Sequence, residues 1–259
     1  MDIPEFGIGT YTLLGDQCQD IVYNGIKLGY RLIDSAELYQ NGVAIGNAIN
    51  QSISDGLITR DDIWITSKIH NKDQRHLNIG PSIKKILNDL HIDYIDLILL
   101  HSAQKNYYDA YTKLIECKNQ YNIRHIGVSN FREDELVHIS SAIVKPYINQ
   151  LEISPFYKRE KLRSYMLSNN IKIQAYCSLT KGKCFDNTLL QHNILRPDEL
   201  LLSWAKQYNL HPIPTPTSTD HLTKNYNTLT KINISSDIIQ HLNSISDQCV
   251  NYKQHMDKY

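Results

Sequence analysis

Short apolar runs alternate along this chain with longer segments whose apolar residues recur at helical spacing. The runs are FGIG (6–9), RLID (31–34), IWITSKI (63–69), IDLILLH (95–101), IRHIGVS (123–129), YINQLEI (147–153), KIQAYCS (172–178) and HPIPT (211–215). Between them lie helix-period segments such as Ile21, Gly25, Ile26, Gly29 and Ile79, Ile83, Ile86, Leu87, Leu90. A nearly continuous apolar strand such as IDLILL implies burial on both faces, which is the situation of parallel strands covered by helices. Eight such runs, each followed by helical pattern, predict an α/β fold of the (β/α)8 TIM-barrel type, with residues 1–259 as one domain. The alternative is an open doubly wound sheet. It lacks support because no GxGxxG follows the first run, and GIGT at 7–10 alone is a weak signal. Helix boundaries are marked locally: Pro197 suits a first helical turn, and Gly29 and Gly56 sit where helices end. The segment 234–259 reads as one further helix and a polar end, and no repeat, linker or low-complexity block interrupts the pattern.

Composition narrows the class of function. The 259 residues fit one barrel-sized domain. Lys plus Arg and Asp plus Glu balance at 27 each, without a long run of either sign. That removes the electrostatic basis for nucleic-acid or acidic-membrane binding and favours a small-molecule site. The five cysteines are scattered, odd in number and without CxxC spacing, so they read as reduced thiols with no metal site. The N-terminus MDIPEFGIGTY has no basic region followed by an apolar run, and no stretch is apolar for long enough to span a bilayer. A soluble cytoplasmic protein is the expectation, with the oligomeric state left open.

Chemistry enters at the ends of three successive runs. Asp34 and Tyr39 follow the second, Lys68 ends the third and His101 ends the fourth. Each has an ordinary reading: Asp34 as a helix cap, Tyr39 as one of 17 tyrosines, His101 as a satisfied core histidine. Lys68 is harder to absorb, because an unpaired lysine at the end of a buried strand is costly. If the runs are neighbouring parallel strands of a barrel, an acid, a phenol, an amine and an imidazole meet at one mouth. Such a set suits protonation of a carbonyl oxygen: a phenol as donor, an ammonium to stabilise its anion, a carboxylate to keep the ammonium charged, and an imidazole as second donor.

At this point the chain resembles the aldo-keto reductases over nearly its whole length. The family's D-x-A-x-x-Y-x-N is present as Asp34, Ala36, Tyr39 and Asn41, its strand-end lysine as Lys68, and its L-x-H as Leu99 and His101. IGVSNF at 126–131, NQLEISPF at 149–156 and AYCSL at 175–179 follow in order. The resemblance implies a carbonyl reductase that uses NADPH or NADH, binds it in an extended shape without a Rossmann domain, and employs Asp34, Tyr39, Lys68 and His101 in catalysis. It further implies that Gly9, Thr10 and Tyr11 lie near the nicotinamide ribose and pyrophosphate, with Asp34 also facing the cofactor. Ser129, Asn130 and Gln150 would bond the carboxamide, Tyr176 would stack on the ring, and Leu179, Thr180 and Lys181 would follow the pyrophosphate. Thr215, His221 and Asn225 fall at the adenosine end.

Departures from the family pattern concern that end. Where the family commonly has I-P-K-S and an arginine five residues after the serine, this chain reads IPTPTSTDHLTKN, with Thr215 for the lysine, Pro216 for the serine and His221 for the arginine. The usual clamp for a 2′-phosphate is missing, so a weakened NADPH preference is expected, with Lys183 and Lys224 as substitute cations. The segment before Gly7 is short for the family's bottom hairpin, so a less covered N-terminal end of the barrel is expected, and the short connection after His101 argues against a bulky, closely walled substrate. The reading is a reductase of small aldehydes and ketones. Its alternatives are a Schiff-base lyase using Lys68, a cofactor-binding regulatory protein with little turnover, and a structural protein with a vestigial site.

Overall fold

The structure, a computed structural model of the chain, describes residues 1–140, 144–191 and 194–247. Strands and helices alternate: β1 (Ile8–Gly9), α1 (Gly15–Leu28), β2 (Leu32–Asp34), α2 (Gly42–Ser54), β3 (Trp64–Ile69), a short α3 (Asn71–Arg75), α4 (Ile79–Leu90), β4 (Ile95–Leu100), α5 (Tyr107–Gln120), β5 (Ile123–Ser129), α6 (Glu133–Ile139), β6 (Ile148–Glu152), α7 (Glu160–Ser168), β7 (Lys172–Tyr176), α8 (Pro197–Gln207), α9 (Thr219–Lys231) and α10 (Ser236–Ser244). The seven strands pair in chain order and in parallel, β1 to β7.

The eighth predicted run is where expectation and structure part. Residues 211–215 form no regular strand, yet they occupy the strand position between β7 and β1. Gly7 N and Gly9 N donate to the carbonyls of Pro212 and Pro214 at 3.0 Å each, and Ile213 N donates to Ala175 O at 3.1 Å. Pro212 and Pro214 have no N–H to return, so the ladder is made from one side at each proline. The barrel closes through half a ladder.

Local rules place the helices where the pattern put them. α1 ends at Gly29, whose φ of 119° is a left-handed cap, and Gly29 N bonds back to Gly25 O. Pro197 occupies the first turn of α8. α4 buries Ile79, Ile83, Ile86 and Leu90 on one stripe. Of the predicted terminal helix, 236–244 is helical; residues 248–259, with Cys249, lie outside the described residues. Cys18, Cys117, Cys177 and Cys184 are free thiols, and among the described residues no helix is long and apolar enough to cross a membrane.

Strand pleating separates two cores. Outward residues such as Ile33, Ile65, Ile98, Val128 and Ile173 pack with the helices, while Leu32, Trp64, Leu97, Leu99, Ile148 and Ile213 fill the barrel interior, closed below by Ile3. Side chains two apart on a strand share a face. The interior face that carries Leu32, Trp64 and Thr66, Leu97 and Leu99, and Ile148 therefore ends, at the C-terminal mouth, in Asp34, Lys68, His101 and Gln150. Parity alone delivers the polar groups to one place.

Candidate active site

Lys68 is 1% exposed, and its ammonium has three acceptors: Asp34 Oδ2 at 2.7 Å, the Ser35 carbonyl at 2.8 Å and Tyr39 Oη at 3.4 Å. Asp34 is equally buried, and its other oxygen accepts from Gln150 Nε2 at 2.6 Å. Gln150 Nε2 gives its second hydrogen to Gln174 Oε1, also at 2.6 Å. Every polar atom of the ion pair is thus occupied, the condition under which a buried pair is tolerated. Burial pushes the Asp34 carboxyl up and the Lys68 ammonium down, and in both cases the partner's charge opposes the shift.

Tyr39 reaches this pair because the chain after β2 turns through a single 3₁₀ turn, Glu37–Tyr39, with Tyr39 N on Ala36 O at 2.9 Å and Gln40 left-handed at φ 56°. Glu37 anchors the turn from outside, accepting from Ser82 Oγ at 2.6 Å and His70 N at 3.2 Å. Asn41 ties it to the first strand's loop through Thr10 O at 2.9 Å and Leu13 O at 3.1 Å. Desolvation, and then the Asp34 carboxylate, raise the Tyr39 phenol well above its usual 10. The phenol of the free protein is thus protonated at neutral pH, and the Lys68 ammonium lies 3.4 Å from its oxygen, where the charge of its anion would fall. His101, whose ring centroid lies 6.0 Å from that of Tyr39, is lowered to about 3 by burial and then by the Lys68 charge. The imidazole is neutral at physiological pH.

These groups floor one cleft of about 740 Å³ that crosses the mouth of the barrel, within the range of small-molecule and cofactor sites. Asp34, Tyr39 and His101 line it, as do Gly9, Tyr11, Ser129, Asn130, Gln150, Tyr176, Leu179, Lys181, Thr215, His221 and Asn225. Three expected residues stand elsewhere: Thr180 is buried, its hydroxyl accepting from Cys184 N at 3.3 Å, and Thr10 and Lys68 are the others. Thr10 is fully buried in the wall, donating to Asp34 O at 2.9 Å, and Lys68 lies behind Tyr39. Of the substitute cations, Lys224 lines the cleft.

The cleft fits a nicotinamide dinucleotide on its own geometry. Tyr176 presents a ring to the cleft and is fixed there by its hydroxyl, which donates to Asn130 Oδ1 at 2.7 Å. Asn130 is itself held by the His101 carbonyl at 3.1 Å and Ser129 Oγ at 3.0 Å. Gln150 has spent both amide hydrogens on Asp34 and Gln174, so what it can offer a carboxamide is its carbonyl oxygen. Gly9 leaves the cleft wall without a side chain, and Lys181 supplies a cation 6.0 Å above the Tyr11 ring. Cys177, left-handed at φ 52°, is a thiol raised to about 12 by burial, which makes it an inert wall residue.

Several participants were not named from sequence. Gln174 follows from strand parity, two residues before Tyr176, and was legible in principle. Glu37 required the fold, since the donors it accepts from come from the residue after β3 and from α4. The wall on the His101 side is formed by Leu38, His70, Asn71 and Ser102. His70 Nδ1 accepts from Lys72 N at 2.9 Å, so its remaining hydrogen is on Nε2.

Comparison with known proteins agrees in sequence and in fold. A profile of the Aldo/keto reductase family matches residues 5–189. An NADPH-dependent D-xylose reductase of Meyerozyma guilliermondii is 30% identical over 86% of this chain and 85% of its own. A glyoxal reductase of Bacillus subtilis is 33% identical over 83% and 79%, and a methylglyoxal reductase of Yersinia pestis 32% identical over 87% and 86%. Among solved structures, an aldose reductase from Schistosoma japonicum superposes with a TM-score of 0.90 at 23% identity, covering 100% of this chain and 94% of that one. A Bombyx mori aldo-keto reductase in complex with NADP superposes at 0.88 and 25% identity, covering 99% and 94%.

Proposed function

The chain belongs to the aldo/keto reductase family, and from that membership we propose that it reduces small aldehydes and ketones to alcohols with NADPH or NADH. The observation that carries the reading is the contact of Lys68 Nζ with Tyr39 Oη at 3.4 Å, backed by Asp34 at 2.7 Å, at the floor of a cleft shaped for a dinucleotide. When bound, the reduced dinucleotide supplies a hydride to the carbonyl carbon. Tyr39 gives its proton to the oxygen, where negative charge develops. Lys68 stabilises the phenolate left behind, and Asp34 keeps Lys68 charged and aimed. His101, neutral, donates a ring N–H to the same oxygen. Tyr176 and Asn130 orient the nicotinamide, and Gln150 accepts from its carboxamide.

The wall of Leu38, His70, Asn71 and Ser102 is short and mostly polar, which suits hydroxylated or dicarbonyl aldehydes of a few carbons, in line with the sugar and glyoxal reductases among the relatives. We place the protein in the cytoplasm as one barrel domain. A Schiff-base lyase is disfavoured: it needs a neutral amine open to the cleft, whereas the hydrogens of Lys68 go to Asp34, Ser35 and Tyr39. The test is dinucleotide titration by fluorescence followed by turnover of xylose, glyoxal and methylglyoxal. Binding without turnover of any aldehyde would leave a regulatory protein as the better description.

A further inference from the structure

The end of the cleft remote from His101 is walled by Arg196 and Asp198 at the start of α8, and by His221 and Lys224 on α9. These elements follow the seventh and eighth strand positions, across the barrel from β3 and β4. On the reductase reading, a dinucleotide with its nicotinamide against Tyr176 extends its adenosine ribose here.

Both strong cations at this end are paired with carboxylates, through three of the five guanidinium hydrogens and one of the three ammonium hydrogens. Arg196 Nε and Nη2 donate to the two oxygens of Asp198 at 3.1 and 2.9 Å, and its Nη1 lies 2.9 Å from Glu199 Oε1. Lys224 Nζ lies 2.6 Å from Asp220 Oδ2. His221 Nδ1 shares a hydrogen with Thr217 Oγ1 at 3.0 Å. Arg196 and Lys224 together carry two positive charges, and Asp198, Glu199 and Asp220 three negative ones. Each cation of this wall therefore already stands against a carboxylate, Asp198 within the lining and Glu199 and Asp220 beside it, before any phosphate arrives.

A 2′-phosphate brings close to two further negative charges and is normally held by charge-assisted hydrogen bonds from a guanidinium or ammonium. Arg196 is half exposed, and its pairs are the kind that contribute little to stability, so it is free to swing. Whether Arg196 turns toward the phosphate or stays, the Asp198 carboxylate in the cleft lining beside it repels that charge. A 2′-hydroxyl meets the opposite situation, since it donates to a carboxylate oxygen while Arg196 stays in place. We propose that this chain binds NADH more tightly than NADPH, with Asp198 as the residue that sets the choice.

The test is a pair of dissociation constants for the full chain at moderate salt, from quenching of protein fluorescence and checked by calorimetry. NADH is expected to have the lower Kd; an equal or lower Kd for NADPH overturns the proposal. In Asp198→Asn the ratio of the NADPH to the NADH constant is expected to fall by about fivefold or more, equivalent to about 1 kcal/mol. An unchanged ratio overturns the role of Asp198. Asp220→Asn, which releases Lys224, is a second variant expected to move the ratio in the same direction, and circular dichroism checks that both variants fold. Binding of neither dinucleotide overturns the reductase reading itself and this inference with it, whereas tighter NADPH binding overturns the inference alone.

Discussion

The ammonium of Lys68 stands 3.4 Å from the hydroxyl of Tyr39, while the phenol is held protonated by burial and by the Asp34 carboxylate beyond the ammonium. The pair is consequently not a pre-ionised base. On the proposed mechanism it is an acid with a cation stationed where the anion would form, so that the stabilisation is realised as the proton leaves.

Replacing Tyr39 by Phe removes the proposed proton donor and the longest of the three contacts of Lys68, and keeps the ring that meets Tyr11 and His101 edge-on. Aldehyde turnover should fall by about 10²–10⁴-fold, the span usual for loss of a positioned acid, with the dinucleotide Kd unchanged. Steady-state kinetics beside a fluorescence titration checks this. Retained turnover would mean that another group delivers the proton.

Lys68→Met leaves Asp34 as a buried carboxylate without its counter-charge, which costs about 3–5 kcal/mol by comparison with other broken buried pairs. The pH dependence has a definite sign. Asp34 already titrates above its unfolded value, and loss of Lys68 raises it further, so stability is present at low pH and is lost as pH rises through the folded-state pKa. The variant should therefore show a higher Tm at pH 5 than at pH 8, relative to the unmodified protein, in parallel melts by circular dichroism.

The candidate groups Asp34, Lys68 and His101 were readable from sequence because each stands at an inward position at or just past the end of a strand, so period-two alternation and parallel order suffice to bring them together. Tyr39 needed only the length of one turn. What escaped depended on facts that alternation does not encode. Pro212 and Pro214 supply carbonyls but no N–H groups, so an apolar run in a strand position is not a regular strand. Thr10 sits next to the cleft in sequence, but its side chain turns into the wall toward Asp34 O. The pairing of Arg196 with Asp198 joins residues two apart in a helix start whose place at the cleft is decided by the closure of the barrel.

His101 offers a test of the electrostatics. Its folded-state pKa near 3 lies below the ordinary histidine value of 6.5, so between those limits the unfolded chain binds more protons and stability is lost as pH falls. His101→Asn removes this contribution. The difference in Tm between the two proteins should shift in favour of the variant as the pH is lowered from 6.5 toward 4. A difference independent of pH would place the folded imidazole near its ordinary value.

Gly9 tests the seam where the barrel closes. A Cβ on Gly9 would fall 2.5 Å from the Ile213 carbonyl oxygen and 3.0 Å from Thr215 Oγ1. The first of these is backbone, and it is pinned on its other side because Ile213 N donates to Ala175 O. Gly9→Ala therefore has to part β1 from the 211–215 segment, straining the bond from Gly9 N to Pro214 O. Overpacking of this kind costs about 1–3 kcal/mol, and Tm should fall by roughly 2–4 °C per kcal/mol for a chain of this size. Because Gly9 and Thr215 both line the cleft, the same variant should weaken dinucleotide binding while leaving the Lys68–Asp34 pair intact. An unaltered Tm would show that the half-ladder at the prolines yields freely enough to accept a methyl group.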